Sequence, residues 1–425
     1  MSSIESSPLT LERGLSSASE PPLDTGRTNM ATSLGATVGT PQLTISIGYA
    51  SEFENLAATW RELETRADPT FFLTWDWIGT WLEFLDTSPY LVVVRDLDKI
   101  VGLGLLHPAA IRRRRIFKAK ALLLHSTGDS TKDVITIEYN GFLADRDYYE
   151  IVQVACIRSL VRGDLGPAWD EFHFDGVTAD FEQRARGVNV LTWIYANKPS
   201  WAIDLEAVRR SGGSYLESIS ANTRYQIRRS IRLYKARGPL TYVSARTVEE
   251  ALAFFDDLKV LHQRYWTSRG EPGGFAYPFF ESFHRSLIRQ CVSRGTVEIV
   301  RVAAGDCVIG YLYNFVHAGW TGQYLSGFNY EADAKLKPGL VCHYLCAEQH
   351  QKVNGRTYDF MAGENRYKAS LGSPGPDIMH LILQRPRLKF RAEHALRDFK
   401  RLSTTILGRQ IRNGEARSAA SKLEP

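Results

Sequence analysis

Residues Gly363 to Lys368 place a carboxylate (Glu364), a phenol (Tyr367) and a primary amine (Lys368) in one short polar stretch, directly after the buried-type run Thr357 to Met361. Such a run reads as a strand, and ligands are held where strands end. The three groups suit proton traffic. A carboxylate can take a proton from an attacking amine or hydroxyl, a phenol can return one to a leaving group, and an amine can hold an anion. Upstream, Lys337-Pro338-Gly339-Leu340 reads as a helix start, where proline is tolerated because its missing N–H would have no partner. The unpaired amides and the helix dipole of such a start attract anions, and Lys335 and Lys337 add charge. Taken alone, Lys-Pro-Gly is either a surface turn or a phosphate cradle. The following strand, which carries Glu364, Tyr367 and Lys368 towards it, favours the cradle. No Cys-His, Ser-His-Asp or metal-ligand spacing stands out, so the pattern points to direct displacement with no metal and no covalent enzyme intermediate.

These groups need a frame. Gly322 to Asn329 suits a strand, Pro338 to Val353 has helical spacing, Asn354-Gly355 stops it, and Thr357 to Met361 follows as a short strand. Leu91–Leu106 and Val297–Asn314 share one grammar: a hydrophobic strand, a charged turn, then Val-Gly or Ile-Gly opening a second strand. Gly102 matches Gly310, an offset of 208 residues (310 minus 102). FHFDG at 172–176 likewise resembles DFMAG at 359–363, and the pairs together point to an internal repeat. Residues 1–41 are rich in Ser, Thr, Gly and Pro and are expected to be disordered. An N-terminal domain is expected over 42–210 and a C-terminal one over 211–384, divided at Ser211-Gly212-Gly213-Ser214. A basic helix and tail fill 385–425.

The Tyr324–Phe328 strand, Pro338-Gly339, Tyr358-Asp359-Phe360, Gly363 and Tyr367-Lys368 resemble the GNAT-type acyltransferases of the cellulose-biosynthesis (CelD-like) family. These are relatives of the FemAB aminoacyltransferases. Arg224–Gly238 and His262–Gly270 extend the resemblance, which spans roughly Leu43–Gly372. It implies an α/β (α+β) fold of two tandem GNAT-like domains, each a mixed, mostly antiparallel sheet flanked by helices. It also implies acetyl-CoA or another acyl-CoA as co-substrate, bound by Lys337, Pro338, Gly339, Leu340 and Lys368, although Lys335–Gly339 is poorer in glycine and arginine than the usual GNAT phosphate loop. Tyr367 would be the acid, Glu364 the base, and Arg264 and Trp266 would lie beside the acyl site with Tyr324. The acceptor would be a small molecule or saccharide, as in exopolysaccharide or cell-envelope synthesis. An aminoacyl-tRNA-dependent transferase and a non-catalytic polysaccharide- or partner-binding module are the alternatives.

Elsewhere the pattern is structural first. In Thr74–Leu85 the stripe Trp77, Trp81 and Phe84 reads as core. His125–Asp133 is a polar loop that can line a cleft between the halves, with Asp129 and Asp133 as candidates for a substrate amine or hydroxyl. Cys342, Cys346 and His350 share a helix face expected against the sheet. In 388–412, Leu388, Ala392, Leu396 and Phe399 fall on one face of a basic helix. It packs on its own domain or a partner, or lies on an anionic membrane. The 425 residues are 44% hydrophobic and 23% charged, with a net charge of +5. This mild charge permits an anionic ligand but does not call for DNA. Five unpatterned cysteines, no long apolar run and no signal-type leader lead to the expectation of a cytoplasmic protein.

Overall fold

A computed structural model describes residues 41–399, apart from 114–115, 164–165 and 186. The expected tail over 1–41 and the stretch 400–425 therefore lie, but for residue 41, outside the described residues. Alternation and apolar runs become strands where the notched pattern of small and β-branched residues suits a pleat. In chain order these are β1 (Leu43–Tyr49), β2 (Tyr90–Asp96), β3 (Lys99–Arg113), β4 (Phe117–Leu124), β5 (Leu143–Ala144), β6 (Glu171–Thr178), β7 (Leu191–Lys198) and β8 (Ser200–Asp204). The remainder are β9 (Leu240–Ser244), β10 (Val297–Ala304), β11 (Cys307–His317), β12 (Trp320–Phe328), β13 (Thr357–Ala362), β14 (Ser373–Pro374) and β15 (Ile378–Gln384). The helices are α1 (Leu56–Arg66), α2 (Trp75–Glu83), α3 (Tyr149–Arg162), α4 (Ala179–Arg184), α5 (Leu205–Arg210) and α6 (Tyr215–Ser218). They continue with α7 (Ala221–Lys235), α8 (Val248–Thr267), α9 (Pro278–Cys291), α10 (Pro338–Lys352) and α11 (Arg366–Leu371).

Two mixed sheets result, each flanked by helices. One runs β1-β2-β3-β4-β6-β15-β7, with β5 beside β3; the other runs β14-β8-β13-β12-β11-β10-β9. The repeat read from the sequence is present in the hydrogen-bond register. β2 and β3 slip by one residue after the Val94–Gly102 pair, and β10 and β11 slip after Val302–Gly310, so both partners keep the 208-residue offset. In each half a parallel pair follows: β4 with β6 over Ala121–Leu123, and β12 with β13 over Trp320–Gly322. Register equates Phe172 with Tyr358, one residue away from the glycine-to-glycine match.

Strand membership crosses position 210 in both directions. β8, from the earlier part of the chain, pairs with β13 and β14 in the second sheet. β15, from the later part, lies between β6 and β7 in the first. An aromatic core joins the halves: the Phe71 and Phe315 rings stack at 4.3 Å, and Trp77 meets Phe283 edge-on at 4.8 Å. Trp77 and Trp81 are thus core residues, as their stripe indicates. Cys342 and Cys346 are buried against the second sheet. Residues 388–399 are helical, with Phe390 seated against Phe117 at 5.7 Å, whereas Leu388 and Leu396 face outward. No helix among the described residues is long and apolar enough to cross a membrane.

Candidate active site

β12 and β13 part after three residues. Beyond the Gly322–Asp359 pair, Gln323–Phe328 keep β11 on one edge but, among the described residues, have no strand on the other. Neighbouring parallel strands that diverge leave backbone N–H and C=O groups facing a gap, and such groups require partners. The gap opens into a cavity of about 540 Å³. Its walls come from β12 (Tyr324, Ser326, Phe328), the β13 tip (Phe360, Met361, Ala362), α8 (His262, Tyr265, Trp266), the 271–274 loop, and α11 (Tyr367, Lys368). Glu138 and Lys198 enter from the other half.

Two acids, Glu138 and Glu271, line this cavity, and Glu138 is the one held against the β13 tip. Its Oε2 accepts the Ala362 N–H at 2.8 Å, and burial raises its pKa above the usual carboxylate range against the opposing pull of that bond and of Lys368. Lys368 is buried, and its Nζ donates to the Ala362 carbonyl at 2.6 Å and to that of Met361 at 3.4 Å. Burial drops its pKa to about 8, although Glu138 and Asp359 pull it upward. Desolvation thus draws acid and amine together towards neutrality, the arrangement that equips a site for proton transfer. Asp359, beneath them, accepts from Tyr139 Oη at 2.6 Å and Trp320 Nε1 at 3.0 Å, tying the halves at the point of divergence.

Tyr367 lines the cavity with its ring stacked on His343 at 5.2 Å, and burial raises its phenol, which therefore stays protonated at neutral pH. Trp266 lines the cavity and donates to His262 Nε2 at 2.9 Å. Burial lowers His262 to about 4, so it is neutral, and that bond assigns its proton to Nδ1. Tyr324 lines the wall while its hydroxyl donates to the Ile135 carbonyl across the halves. Glu364 is exposed and outside the lining, and so is Arg264. Asp133 lines a neighbouring cavity instead, its carboxylate taken by Thr127 and the Gly128 N–H. Glu138 escapes a sequence reading because it lies 226 positions before Glu364 (364 minus 138) in an undistinguished loop. An acid between Ile137 and Tyr139 was the available signal.

At the helix start, the Lys337 N–H donates to Ser230 Oγ at 2.9 Å, and the first intrahelical bond runs from Val341 to Lys337. Pro338 has no N–H, so the unpaired amides of the first turn are those of Gly339 and Leu340. A side chain at Gly339 would meet the Phe328 ring at 3.1 Å, which packs the start of α10 against the β12 end of the cavity. Behind α10, Glu298, Cys346 and His350 bring their ligand atoms within 4.8 Å of one another.

Residues 221–369 match the family model of the acetyltransferase (GNAT) domain. The match begins at α7 and ends just past Lys368, covering the diverging strands, α10 and the first four residues of α11. Among solved structures, the chain is similar to the C-terminal domain of a putative lysylphosphatidylglycerol synthetase from Agrobacterium fabrum (8% identity, 81% of this chain and 95% of that one, TM-score 0.48). It is also similar to FemX (9% identity, 77% and 94%, TM-score 0.48) and to a tandem GNAT protein from the clavulanic acid biosynthesis pathway (12% identity, 81% and 99%, TM-score 0.40). A search of curated protein sequences finds no match.

Proposed function

We propose that the protein is an acyltransferase that moves an acyl group from acyl-CoA to an amine or hydroxyl of a small molecule or saccharide. The observation that carries this reading is the gap between β12 and β13, which opens between Glu138, Tyr367 and Lys368. An extended, amide-bearing donor arm can pair with the free edge of Gln323–Phe328 as an added strand does. Its phosphates suit the Gly339 and Leu340 amides, with Lys335 and Lys337 nearby. The thioester carbonyl then lies among the three titratable groups. Glu138 takes a proton from the acceptor, the nucleophile bonds to the carbonyl carbon, the C–S bond breaks, and Tyr367 returns a proton to sulfur. For an ammonium acceptor a second proton leaves nitrogen as the intermediate collapses, so the balance releases one proton. Lys368 holds the β13 tip in place and offsets the charge of Glu138.

The direct test is thermal unfolding with acetyl-CoA, longer acyl-CoAs and free CoA. A ligand that binds only the folded chain stabilises it by about 2.7 kcal/mol at a hundred times its Kd. We expect a concentration-dependent rise in Tm that is lost with a Gly339→Asp variant. No rise with any CoA species, together with tRNA binding that falls steeply with salt, would instead favour an aminoacyl-tRNA donor.

A further inference from the structure

A second cavity of about 410 Å³ adjoins the first, sharing Val134, Thr136 and Tyr277 as wall residues. It occupies the half whose own parallel pair, β4 and β6, is closed rather than open. Asn140 fills that divergence: Nδ2 donates to the Leu124 carbonyl at 3.0 Å and the Asp175 carbonyl at 2.9 Å, while Oδ1 faces His125 Nδ1 at 2.8 Å. The repeat therefore offers no second donor gap, and the adjoining cavity needs a different ligand.

Its polar end is built by the strand crossing. β15 sets His380 directly opposite Asp175 of β6, with Nδ1 at 3.1 Å from Oδ1, and Tyr195 of β7 donates to the same oxygen. Among the described residues, Oδ2 has only the Ser126 hydroxyl, at a long 3.5 Å. A carboxylate accommodates about four donors, so this oxygen has room for another. Among the described residues the lining contains Asp175, Asp133 and the histidines His125, His173 and His380 but neither lysine nor arginine, and Trp77, Trp81 and Tyr277 form its apolar side. The Asp175 carboxylate has the histidines His380 and His173 beside it, and its under-used oxygen can pair with a ligand cation.

We propose that this cavity is the acceptor subsite and that Asp175 holds an ammonium group which the acceptor carries in addition to its nucleophile, as in a diamine or an amino sugar. The nucleophilic end then passes Thr136 and Tyr277 to reach Glu138. This assignment rests on the acyltransfer reading only in calling the ligand an acceptor.

The test needs no donor. Saturation-transfer NMR on the full chain compares 1,4-diaminobutane and glucosamine with their uncharged counterparts 1,4-butanediol and glucose. The charged probes are expected to bind in preference. Asp175→Asn should weaken them by about tenfold, the loss of one charge-assisted hydrogen bond, and His380→Gln should weaken them less. CoA binding by both variants should be unchanged, and Lys368→Met should still bind the amines. Melting curves report whether each variant folds, and if Asp175→Asn does not, His380→Gln carries the test. Equal binding of charged and uncharged probes, no binding of either amine, or wild-type amine affinity in the folded variants would overturn the proposal. Loss of CoA binding in the wild type with amine binding intact would count against the donor reading alone.

Discussion

Glu138 and Lys368 share one buried environment that pushes an acid up and an amine down, so pH should separate their roles. If Glu138 is the base, activity falls as pH drops through its raised pKa, and Glu138→Gln should lower kcat by about 10²–10⁴-fold and remove that acidic limb. Glu364→Gln, at an exposed position, should leave the profile intact. Lys368 also bears on stability. Between pH 8 and 9.5 the unfolded lysine keeps its proton while the folded one loses it, so its contribution to folding rises with pH. His350 acts oppositely: burial would lower it, but Cys346 and Glu298 hold it up to about 10, and that stability fades above its unfolded pKa near 6.5. The informative quantity is therefore wild type minus Lys368→Met, measured by denaturant titration at both pH values. It should grow by about 1–2 kcal/mol, at 1.36 kcal/mol per pH unit. At this scale the sequence was readable only where chemistry clusters along the chain. Tyr367 and Lys368 do reach the cavity, but Glu138 arrives from a distant loop, and side-chain direction separates Glu364 from the lysine four residues later.

Between elements, one motif has two outcomes. Both halves place a strand-turn-strand with the same one-residue slip before a parallel pair, yet only β12 and β13 are left apart. The difference is Asn140, whose amide satisfies both strand ends of the first half. Asn140→Ala should cost about 2–4 kcal/mol by leaving several buried groups without partners, read as a fall in Tm, without creating CoA affinity in that half. The repeat itself was legible because glycine at the slip is sterically enforced: a side chain at Gly310 would lie 2.8 Å from the Gly327 carbonyl, and one at Gly102 2.6 Å from Val152. The closure of one gap was not legible, since a buried asparagine in a loop looks like any turn residue.

Across the whole molecule, β8 and β15 exchange places between the sheets, and Phe71, Trp77, Phe283 and Phe315 share one core. Hydrophobic runs locate such strands, but nothing local specifies which sheet a short strand joins. The halves should consequently unfold together. Calorimetry on the intact chain should give one transition, and a fragment beginning at residue 211 should fail to fold because β13 would lose its β8 partner. That framework brings Glu138 to the β13 tip, where it accepts the Ala362 N–H, and ties Asp359 of β13 to Tyr139 of the other half. Backbone hydrogen exchange with saturating acetyl-CoA tests the consequence most directly. Protection confined to Gln323–Phe328, the β13 tip and the first turn of α10 is the expected result. Unchanged exchange at Gln323–Phe328, with CoA bound elsewhere or not at all, would contradict it.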